Sequence, residues 1–328
     1  SLQLEKIKSI KENCPSLKKI IVMDNSHEGD EKFVQNLNSF LIVDPEYIKV
    51  AELNFEKMIN IAKPDDLLTL IYTSGTTGTP KGVMLTHENL IANIVAVAKV
   101  QSNIKNETFL SFLPLSHVLE RMAGHFFAFY LNSKIYYAEN METVAQNMQE
   151  VSPSVVISVP RFFEKMYNAV IKGVREGSLI KKKLFWWAIN IGKDYVALNH
   201  AREKIPFYLK FRHRIADKLI YSKIKSKIGG NIKFFISGGA PLSRDVAEFF
   251  ASLNVTILEG YGLTETSPVL TSNTPENIRF GTVGKPLDNV ELKIANDGEI
   301  LAKGPNIMVG YYNSKEATDE VIDSEGWF

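Results

Sequence analysis

The sequence has little cysteine and no long apolar run, and each shortage excludes a class of protein. Cys14 is the only cysteine among 328 residues, which excludes an internal disulfide and favours a reducing compartment. The longest apolar stretches, Leu90–Ala98 and Met122–Leu131, are interrupted by Asn93 and His125, whereas a membrane-spanning helix needs about 20 apolar residues. The N-terminus is mixed and charged, unlike a signal peptide. These features predict a soluble, cytoplasmic protein.

The net charge is small, but the charged residues are unevenly distributed. The net charge is +1, yet residues 172–233 contain 16 Lys and Arg against 4 acids. Such a block favours an anionic partner. Aromatic residues such as Trp186, Phe207 and Phe211 lie among these charges, and two interpretations stay open. The segment docks peripherally on the anionic inner face of a membrane, or it forms solvated amphipathic helices whose aromatics pack inward. No nucleic-acid recognition module accompanies the charge, so nucleic acid is not expected.

The order of apolar runs predicts an α/β fold. Strands are expected at 18–24, 67–71, 108–113, 134–138, 154–158, 232–237 and 255–259, with helices between most of them. Thr86 is a candidate N-cap for a helix that ends near Gln101. This alternation predicts two doubly wound α/β subdomains packed together, at 1–107 and 108–275. Residues 276–328 alternate around the turn signal Asn296-Asp297-Gly298, which predicts part of a small antiparallel β subdomain.

A glycine-rich loop directly follows the apolar run at 67–71. Glycines let backbone N–H groups converge, hydroxyls donate, and a lysine adds charge, so the loop predicts a phosphate site. It differs from the common nucleotide-triphosphatase loop, because Pro80 and Gly82 flank the lysine where that motif needs glycine and Ser/Thr. A solvated turn is the alternative. The candidate phosphate ligands are Thr73, Ser74, Gly75, Thr76, Thr77, Gly78 and Lys81.

Two further loops follow consecutive strands, where open α/β sheets bind ligands. Tyr261 has glycine neighbours and room to stack on a flat base, Thr264 can donate to phosphate, and Glu265 is a hard oxygen ligand suited to Mg²⁺. Helix-initiating turns are the alternative for both loops. The remaining candidate nucleotide-binding residues are Gly239, Ala240, Pro241, Glu259, Gly260 and Gly262.

His117 lies just past a predicted strand, within Pro114-Leu115-Ser116-His117. Taken alone, it is best interpreted as a structural histidine that caps the following helix. A place beside the reacting groups is the alternative.

Several of these segments occur in the order typical of one superfamily. The chain resembles adenylate-forming (AMP-binding) enzymes, and within them long-chain fatty acyl-CoA synthetases most closely. The segments that carry the resemblance are 72–82, 114–117, 239–241, 259–265, 298–300, 303–305 and 310–312, with 159–165 and 237–243 typical of the long-chain branch.

The resemblance implies a function and a division of roles. It implies ATP-dependent activation of a medium-to-long-chain fatty acid to acyl-AMP, followed by transfer to coenzyme A, with ATP and Mg²⁺ required. The loop at 74–78 and Lys81 would hold the β- and γ-phosphates, and 239–241 with 259–261 would form the adenine slot. Thr264 would contact the α-phosphate and Glu265 would bind Mg²⁺. His117 would border the fatty acid carboxylate. This role differs from the interpretation of His117 as a structural helix cap.

The resemblance also implies segments that these 328 residues do not contain. The family has an upstream N-terminal portion, a Thr-Gly-Asp at about the point after Phe328, and a smaller C-terminal domain with a catalytic lysine. We therefore expect nucleotide binding at best from these residues alone. A fatty acyl-AMP ligase that feeds a carrier protein and a non-catalytic nucleotide- or acyl-binding module remain alternatives, and a homodimer is left open.

Overall fold

The computed structural model describes residues 2–23, 33–41, 45–73, 79–102 and 104–328. The chain divides into two compact units, Ser1–Lys63 and Pro64–Phe328. In the first unit, Leu4, Ile20, Val22 and Val34 form a small core around a pair of parallel strands. Its elements are α1 (Leu2–Ser9), a 3₁₀ turn (Lys11–Asn13), β1 (Ile20–Val22), β2 (Val34–Asn36), a second 3₁₀ turn (Leu37–Phe40) and α2 (Pro45–Ile59).

The second unit contains the sheets that carry the candidate site. Its elements are β3 (Leu67–Thr73), β4 (Lys81–Thr86), α3 (His87–Val100), β5 (Thr108–Ser111), a first π-helical segment (Glu120–Phe126), α4 (Phe127–Tyr130), β6 (Lys134–Tyr137), α5 (Val144–Val151), β7 (Val155–Ser158), α6 (Pro160–Arg175), α7 (Leu179–His200), α8 (Phe207–Ala216), a second π-helical segment (Asp217–Tyr221), α9 (Ser222–Ser226), β8 (Phe234–Ser237), α10 (Arg244–Ser252), β9 (Thr256–Gly262), a 3₁₀ turn (Thr264–Thr266), β10 (Val269–Ser272), β11 (Lys285–Pro286), β12 (Glu291–Ile294), β13 (Ile300–Lys303), β14 (Gly310–Tyr311) and α11 (Lys315–Asp319).

A seven-stranded sheet in the order β11-β10-β9-β8-β7-β5-β6 dominates this unit. β5 to β9 run parallel, and β10 and β11 add an antiparallel edge. The chain leaves β5 for β6 on one side and then places β7 on the other. In such sheets ligands bind outside the carboxyl ends of the strands where the order reverses, here β5 and β7.

Alternate residues of the parallel strands face two separate cores, because successive side chains in a strand point to opposite faces. Leu110, Val156, Phe235 and Ile257 pack with residues of α6, α7 and α10. Their neighbours in sequence, such as Phe109, Phe234 and Leu258, pack on the other face with α3 and the first π-helical segment. Phe163 meets Phe235 edge to face at 5.5 Å, and such aromatic pairs add about 0.5–1.5 kcal/mol each. The sheet therefore separates two apolar layers.

Two small antiparallel sheets complete the unit. β14, β4 and β3 form one, and β12 pairs with β13 in the other. α3 begins behind β4 with a reciprocal cap, in which the Thr86 hydroxyl accepts from the Asn89 amide and the Asn89 side chain accepts from the Thr86 amide. The cap anchors the start of α3 to the end of β4.

The α/β class and the parallel-rich sheet are confirmed, as are the helix after Thr86 and the hairpin around Gly298. The sequence pattern did not predict β4. In the structure the glycine-rich loop connects two antiparallel strands, β3 and β4, and the helix begins only after β4. The three subdomain boundaries remain predictions. No described helix combines the length and apolar character needed to cross a bilayer.

Candidate active site

The loops expected to bind nucleotide lie side by side at the carboxyl edge of the large sheet. Ser158 of β7 pairs with Ser237 of β8, and Ser237 pairs with Glu259 of β9. The segments that follow these strands therefore emerge together. Gly239, Ala240 and Pro241 are exposed after β8, while Gly260, Tyr261 and Gly262 are half-buried at the end of β9. The structure thus brings together the residues that the sequence assigned to the adenine slot.

The glycine-rich loop is the connection of the β3–β4 hairpin. Thr73 at the end of β3 pairs with Lys81 at the start of β4. Ser74, Gly75, Thr76, Thr77 and Gly78 lie outside the described residues. Because Thr73 and Lys81 are cross-strand partners, the five intervening candidates belong to a loop whose ends are fixed close together.

Lys81 and Glu265 both contact one tyrosine that the sequence analysis assigned no role. The Lys81 ammonium lies 4.9 Å from the centre of the Tyr311 ring. The Tyr311 hydroxyl donates to Glu265 Oε1 at 2.9 Å. Burial raises the pKa of Tyr311, and the charge of Glu265 raises it further, so the phenol stays protonated and remains a donor. The Gly310-Tyr311-Tyr312 motif was the signal that could have identified Tyr311.

The backbone fixes this cluster. The Met308 amide donates to the Glu265 carbonyl at 2.8 Å, and the Tyr312 amide donates to the Gly82 carbonyl at 2.7 Å. The chain after β13 therefore joins the 3₁₀ turn of Thr264 and Glu265 to the β3–β4 hairpin. Thr264 is half-buried in that turn.

The Glu259 side chain is buried at the end of β9. The backbone N–H groups of Leu242, in the segment after β8, and of Gly281 lie close enough to its carboxylate to lower the pKa of the group. Burial raises its pKa, and the two amide donors partly offset that rise. The carboxylate therefore lies against the segment that follows β8.

Glycine is required at position 262 because the backbone of Pro268 passes very close to it. A Cβ built at this position would lie 1.6 Å from the Pro268 carbonyl oxygen. The absence of a side chain lets β9 run against the segment after the 3₁₀ turn, which places Thr264 and Glu265 next to Tyr261.

His117 is exposed, and its Nδ1 accepts the Leu119 amide at 3.2 Å. An accepting Nδ1 places the proton of the neutral ring on Nε2. Next to it, Val118 is buried in a cluster with Ile71, Val83 and Tyr311. His117 thus caps the turn that follows Pro114, and this turn packs against the β3–β4 hairpin.

Arg121 also ties this segment to the hairpin. Its guanidinium donates to the Leu115 carbonyl at 2.8 Å and to the Thr69 hydroxyl. No local signal in the sequence identifies this role of Arg121, since Thr69 lies 52 residues away.

The first π-helical segment carries a buried acid that the sequence analysis did not single out. Glu120 is fully buried, and burial raises the pKa of its carboxyl to about 7. The nearby Ser111 side chain lowers this pKa by a smaller amount. Neither oxygen has a well-placed hydrogen-bond donor among the described residues. A Cβ at Gly124 would lie within 2.4 Å of Oε1, so glycine leaves room for the carboxyl. An acid flanked by the apolar pairs at 118–119 and 122–123 was the available signal.

An apolar cavity of about 40 Å³ lies behind the nucleotide loops. Leu119, Met122 and Phe127 form one wall, and Gly238 and Tyr261 form part of the other. This is the face of the sheet covered by α3 and the first π-helical segment. The cavity holds at most a few water molecules with the side chains in these positions.

The AMP-binding enzyme family matches residues 1–312. The chain belongs to this family. The resemblance inferred from the ordered motifs is confirmed. Members similar to this chain include the putative fatty-acid–CoA ligase fadD11 of Mycobacterium tuberculosis, at 36% identity over 84% of this chain and 48% of the relative. Long chain acyl-CoA synthetase 7, peroxisomal, of Arabidopsis thaliana is 35% identical over 81% of this chain and 39% of the relative.

Solved structures of the family share the fold. The o-succinylbenzoate CoA synthetase (MenE) of Bacillus subtilis aligns with a TM-score of 0.62 and 21% identity over 99% of this chain and 57% of that chain. The N-terminal domain of FACL13 from Mycobacterium tuberculosis, determined with an inhibitor bound, gives a TM-score of 0.59 and 21% identity over 82% and 57%. The chain spans less than half the length of the curated relatives named above.

Proposed function

We propose that the whole protein activates a medium-to-long-chain fatty acid with ATP and then transfers the acyl group to coenzyme A. The observation that carries this proposal is the meeting of Lys81 and Glu265 on Tyr311, because it joins a phosphate-binding cation to a magnesium-type ligand. The substrate class rests on similarity to relatives named as fatty-acid–CoA ligases, including ACSBG2 of Homo sapiens at 36% identity over 85% of this chain and 43% of the relative.

The reaction needs alignment and charge neutralisation more than a side-chain nucleophile. A carboxylate oxygen attacks the α-phosphorus of ATP, the bond from that phosphorus to the β-phosphate oxygen breaks, and pyrophosphate leaves with acyl-AMP formed. The thiol of coenzyme A then attacks the acyl carbon and releases AMP. Most of the acceleration comes from positioning two anions and stabilising the charge that develops on the phosphates.

Each candidate residue has a role in this scheme. The 74–78 loop and Lys81 bind the β- and γ-phosphates, and the Thr264 hydroxyl donates to the α-phosphate. Tyr261 and the loop at 239–241 enclose the adenine. His117 borders the carboxylate that attacks, and its Nε2–H would donate to that carboxylate.

Mg²⁺ would enter with the nucleotide. Oε1 of Glu265 accepts the Tyr311 hydroxyl, and no described residue donates to Oε2. The described residues contain no cluster of three or more His, Cys, Asp or Glu that could hold a metal alone. A single protein carboxylate combined with substrate phosphates is the usual setting for Mg²⁺. The ion would neutralise phosphate charge there.

The acyl chain would occupy the apolar cavity behind Tyr261. At about 40 Å³ the cavity is too small for an acyl chain, so the Leu119 and Met122 side chains would have to rotate away. The first π-helical segment contributes Met122 to this wall, and π-helical turns are frequent at functional sites.

Fatty-acid-dependent exchange of pyrophosphate into ATP by the full-length gene product tests the proposal. We expect exchange with fatty acids. The exchange should be abolished in Lys81→Ala and retained in the matched control Lys285→Ala. Transfer to coenzyme A separates the proposed enzyme from a fatty acyl-AMP ligase that requires a carrier protein. Absence of exchange with every fatty acid would favour a non-catalytic binding module and overturn the proposal.

We also propose peripheral contact with an anionic membrane through the basic segment 172–233. Phe185 and Tyr221 are buried as inward-packed aromatics, whereas Trp186, Phe207 and Phe211 are exposed on α7 and α8. Exposed aromatics among lysines and arginines fit an interfacial surface. We expect the protein to sediment with anionic vesicles. Salt, and the double substitution Phe207→Ser with Phe211→Ser, should each weaken this binding. Binding that does not depend on the charge of the lipid would contradict the proposed membrane contact.

A further inference from the structure

A second apolar site lies on the opposite face of the large sheet from the cavity behind Tyr261. It is a groove of about 540 Å³ between α6, the start of α7, and the helical stretch formed by the second π-helical segment and α9. That volume lies within the range of about 300–1,000 Å³ typical of small-molecule sites. Its floor includes Phe250 and Val255, which are almost fully buried. The groove therefore reaches the core.

Helical periodicity builds the walls. Met166, Val170 and Gly173 follow one another at intervals of four and three residues on one side of α6. Leu219, Lys223 and Lys227 recur every fourth residue on the facing stretch. Residues at these spacings share one face of a helix, so both walls are continuous along the groove.

The charge of the groove has one sign. Its charged lining residues are Lys181, Lys223 and Lys227, and the other lining residues are apolar or glycine. All three lysines are exposed, and none has a carboxylate partner within 4.0 Å in the described ranges. By contrast, Lys225, which does not line the groove, lies 3.8 Å from Asp217. The lysines beside the groove are therefore available to an anion.

The sheet keeps this groove apart from the candidate active site. Phe185, Ile228 and Phe250 belong to the core layer that contains Phe235. Met122 and Phe127, which line the cavity behind Tyr261, belong to the layer on the other face. A ligand in the groove would not touch Lys81, Tyr311 or Glu265.

We propose that this groove binds one long-chain fatty acid, with the alkyl chain against α6 and the carboxylate at the lysines. The deep apolar floor suits a single alkyl chain, and three unpaired ammonium groups without a lining carboxylate suit a monoanionic end. This second acyl site does not depend on the proposed function, because it shares no residue with the active site.

Gly173 provides the sharpest test. It lies within α6 and lines the groove, and a Cβ added there would meet nothing within 4 Å. Tryptophan at this position fills the groove, while alanine leaves it open. Neither change removes a packing contact, and glycine is the poorer helix former by about 1 kcal/mol relative to alanine. Gly173→Trp and Gly173→Ala are therefore a matched pair.

Equilibrium dialysis of radiolabelled hexadecanoate, below its micelle concentration and without ATP, measures the binding. The unsubstituted full-length protein and Gly173→Ala should bind with the same affinity. Gly173→Trp should weaken groove binding about tenfold or more, since each methylene excluded from apolar surroundings weakens binding about fourfold. If the substrate site also binds the probe, the stoichiometry should fall from two to one.

A charge-matched pair supplies the second test and does not depend on how well Gly173→Trp folds. Lys181→Gln, Lys223→Gln and Lys227→Gln together should weaken groove binding about fivefold or more. The control variant removes the same charge outside the groove and combines Lys183→Gln, Lys193→Gln and Lys218→Gln. Its fatty acid binding in the groove should be unchanged.

Three results would overturn the proposal. One is no saturable binding by the unsubstituted protein. Another is equal binding by Gly173→Trp, by the Lys181/Lys223/Lys227 variant and by the unsubstituted protein. The third is that the groove substitutions leave hexadecanoate binding unchanged and reduce only sedimentation with anionic vesicles free of fatty acid. That result would assign the groove to bilayer lipid.

Discussion

Replacement of Glu120 by glutamine should remove a pH dependence from the stability of the fold. The Glu120 carboxyl is fully buried in the first π-helical segment, close to Gly124. Burial raises its pKa from 4.5 to about 7. Glutamine keeps the shape of the side chain but cannot ionise. The variant therefore isolates the free-energy cost of charging this one group.

The size and sign of the effect follow from the two pKa values. The folded protein holds the proton more tightly than the unfolded chain, so this group stabilises the fold fully below about pH 4.5 and the contribution is lost as pH rises through about 7. The loss amounts to about 3 kcal/mol, at about 1.4 kcal/mol per pKa unit. Above pH 8 the unsubstituted protein carries that cost in full, and Glu120→Gln does not.

Thermal unfolding of both proteins between pH 4.5 and 8.5 measures this difference. The Tm of Glu120→Gln relative to the unsubstituted protein should rise with pH, by about 6 °C or more in total. Glu164→Gln, at an exposed position of α6, is the matched control, because it makes the same chemical change at a carboxyl that is not buried. A Glu120→Gln difference that stays flat with pH, or that becomes more destabilising above pH 7, would refute the burial argument.

Three further outcomes test the candidate active site. Lys81→Ala should lower fatty-acid-dependent pyrophosphate exchange about 100-fold or more through loss of a phosphate contact, with Tm unchanged; a rate within twofold of normal would remove Lys81 from the site. Tyr311→Phe should weaken magnesium-dependent ATP binding, measured by calorimetry, by about tenfold, since hydrogen bonds to charged groups contribute about 1.5–3 kcal/mol; unchanged affinity would show that Glu265 is positioned without the phenol. Gly262→Ala should lower Tm sharply, because a Cβ would lie 1.6 Å from the Pro268 oxygen; a Tm like that of the unsubstituted protein would contradict this packing.

Most of the fold could be predicted because strand and helix periodicities are local. The apolar runs located the parallel strands to within a few residues, and Thr86 marked the start of α3. β4 was missed because its residues follow a loop whose composition suggested a direct passage into the helix. Its identity depends on pairing with β3 and β14, which no short window of sequence encodes.

The candidate site was predictable in its parts and not in its assembly. Hydroxyls, glycines and Lys81 indicate phosphate by their chemistry, and Glu265 indicates a hard cation in the same way. The motif at 310–312 marks Tyr311 in the sequence, but its contacts with both Lys81 and Glu265 were identifiable only from the structure. The same holds for the burial of the Glu259 carboxylate beside the Leu242 and Gly281 amides.

The sequence by itself determined the α/β class, the family and the chemical character of each loop, because these depend on residue types and on spacings of a few residues. The tertiary structure alone decided which side chains meet, that Glu120 is buried without a donor among the described residues, and that Lys181, Lys223 and Lys227 line one groove. The physical reason is that contacts between distant segments follow from the packing of whole layers, and a side chain's environment is set by the neighbours that this packing supplies.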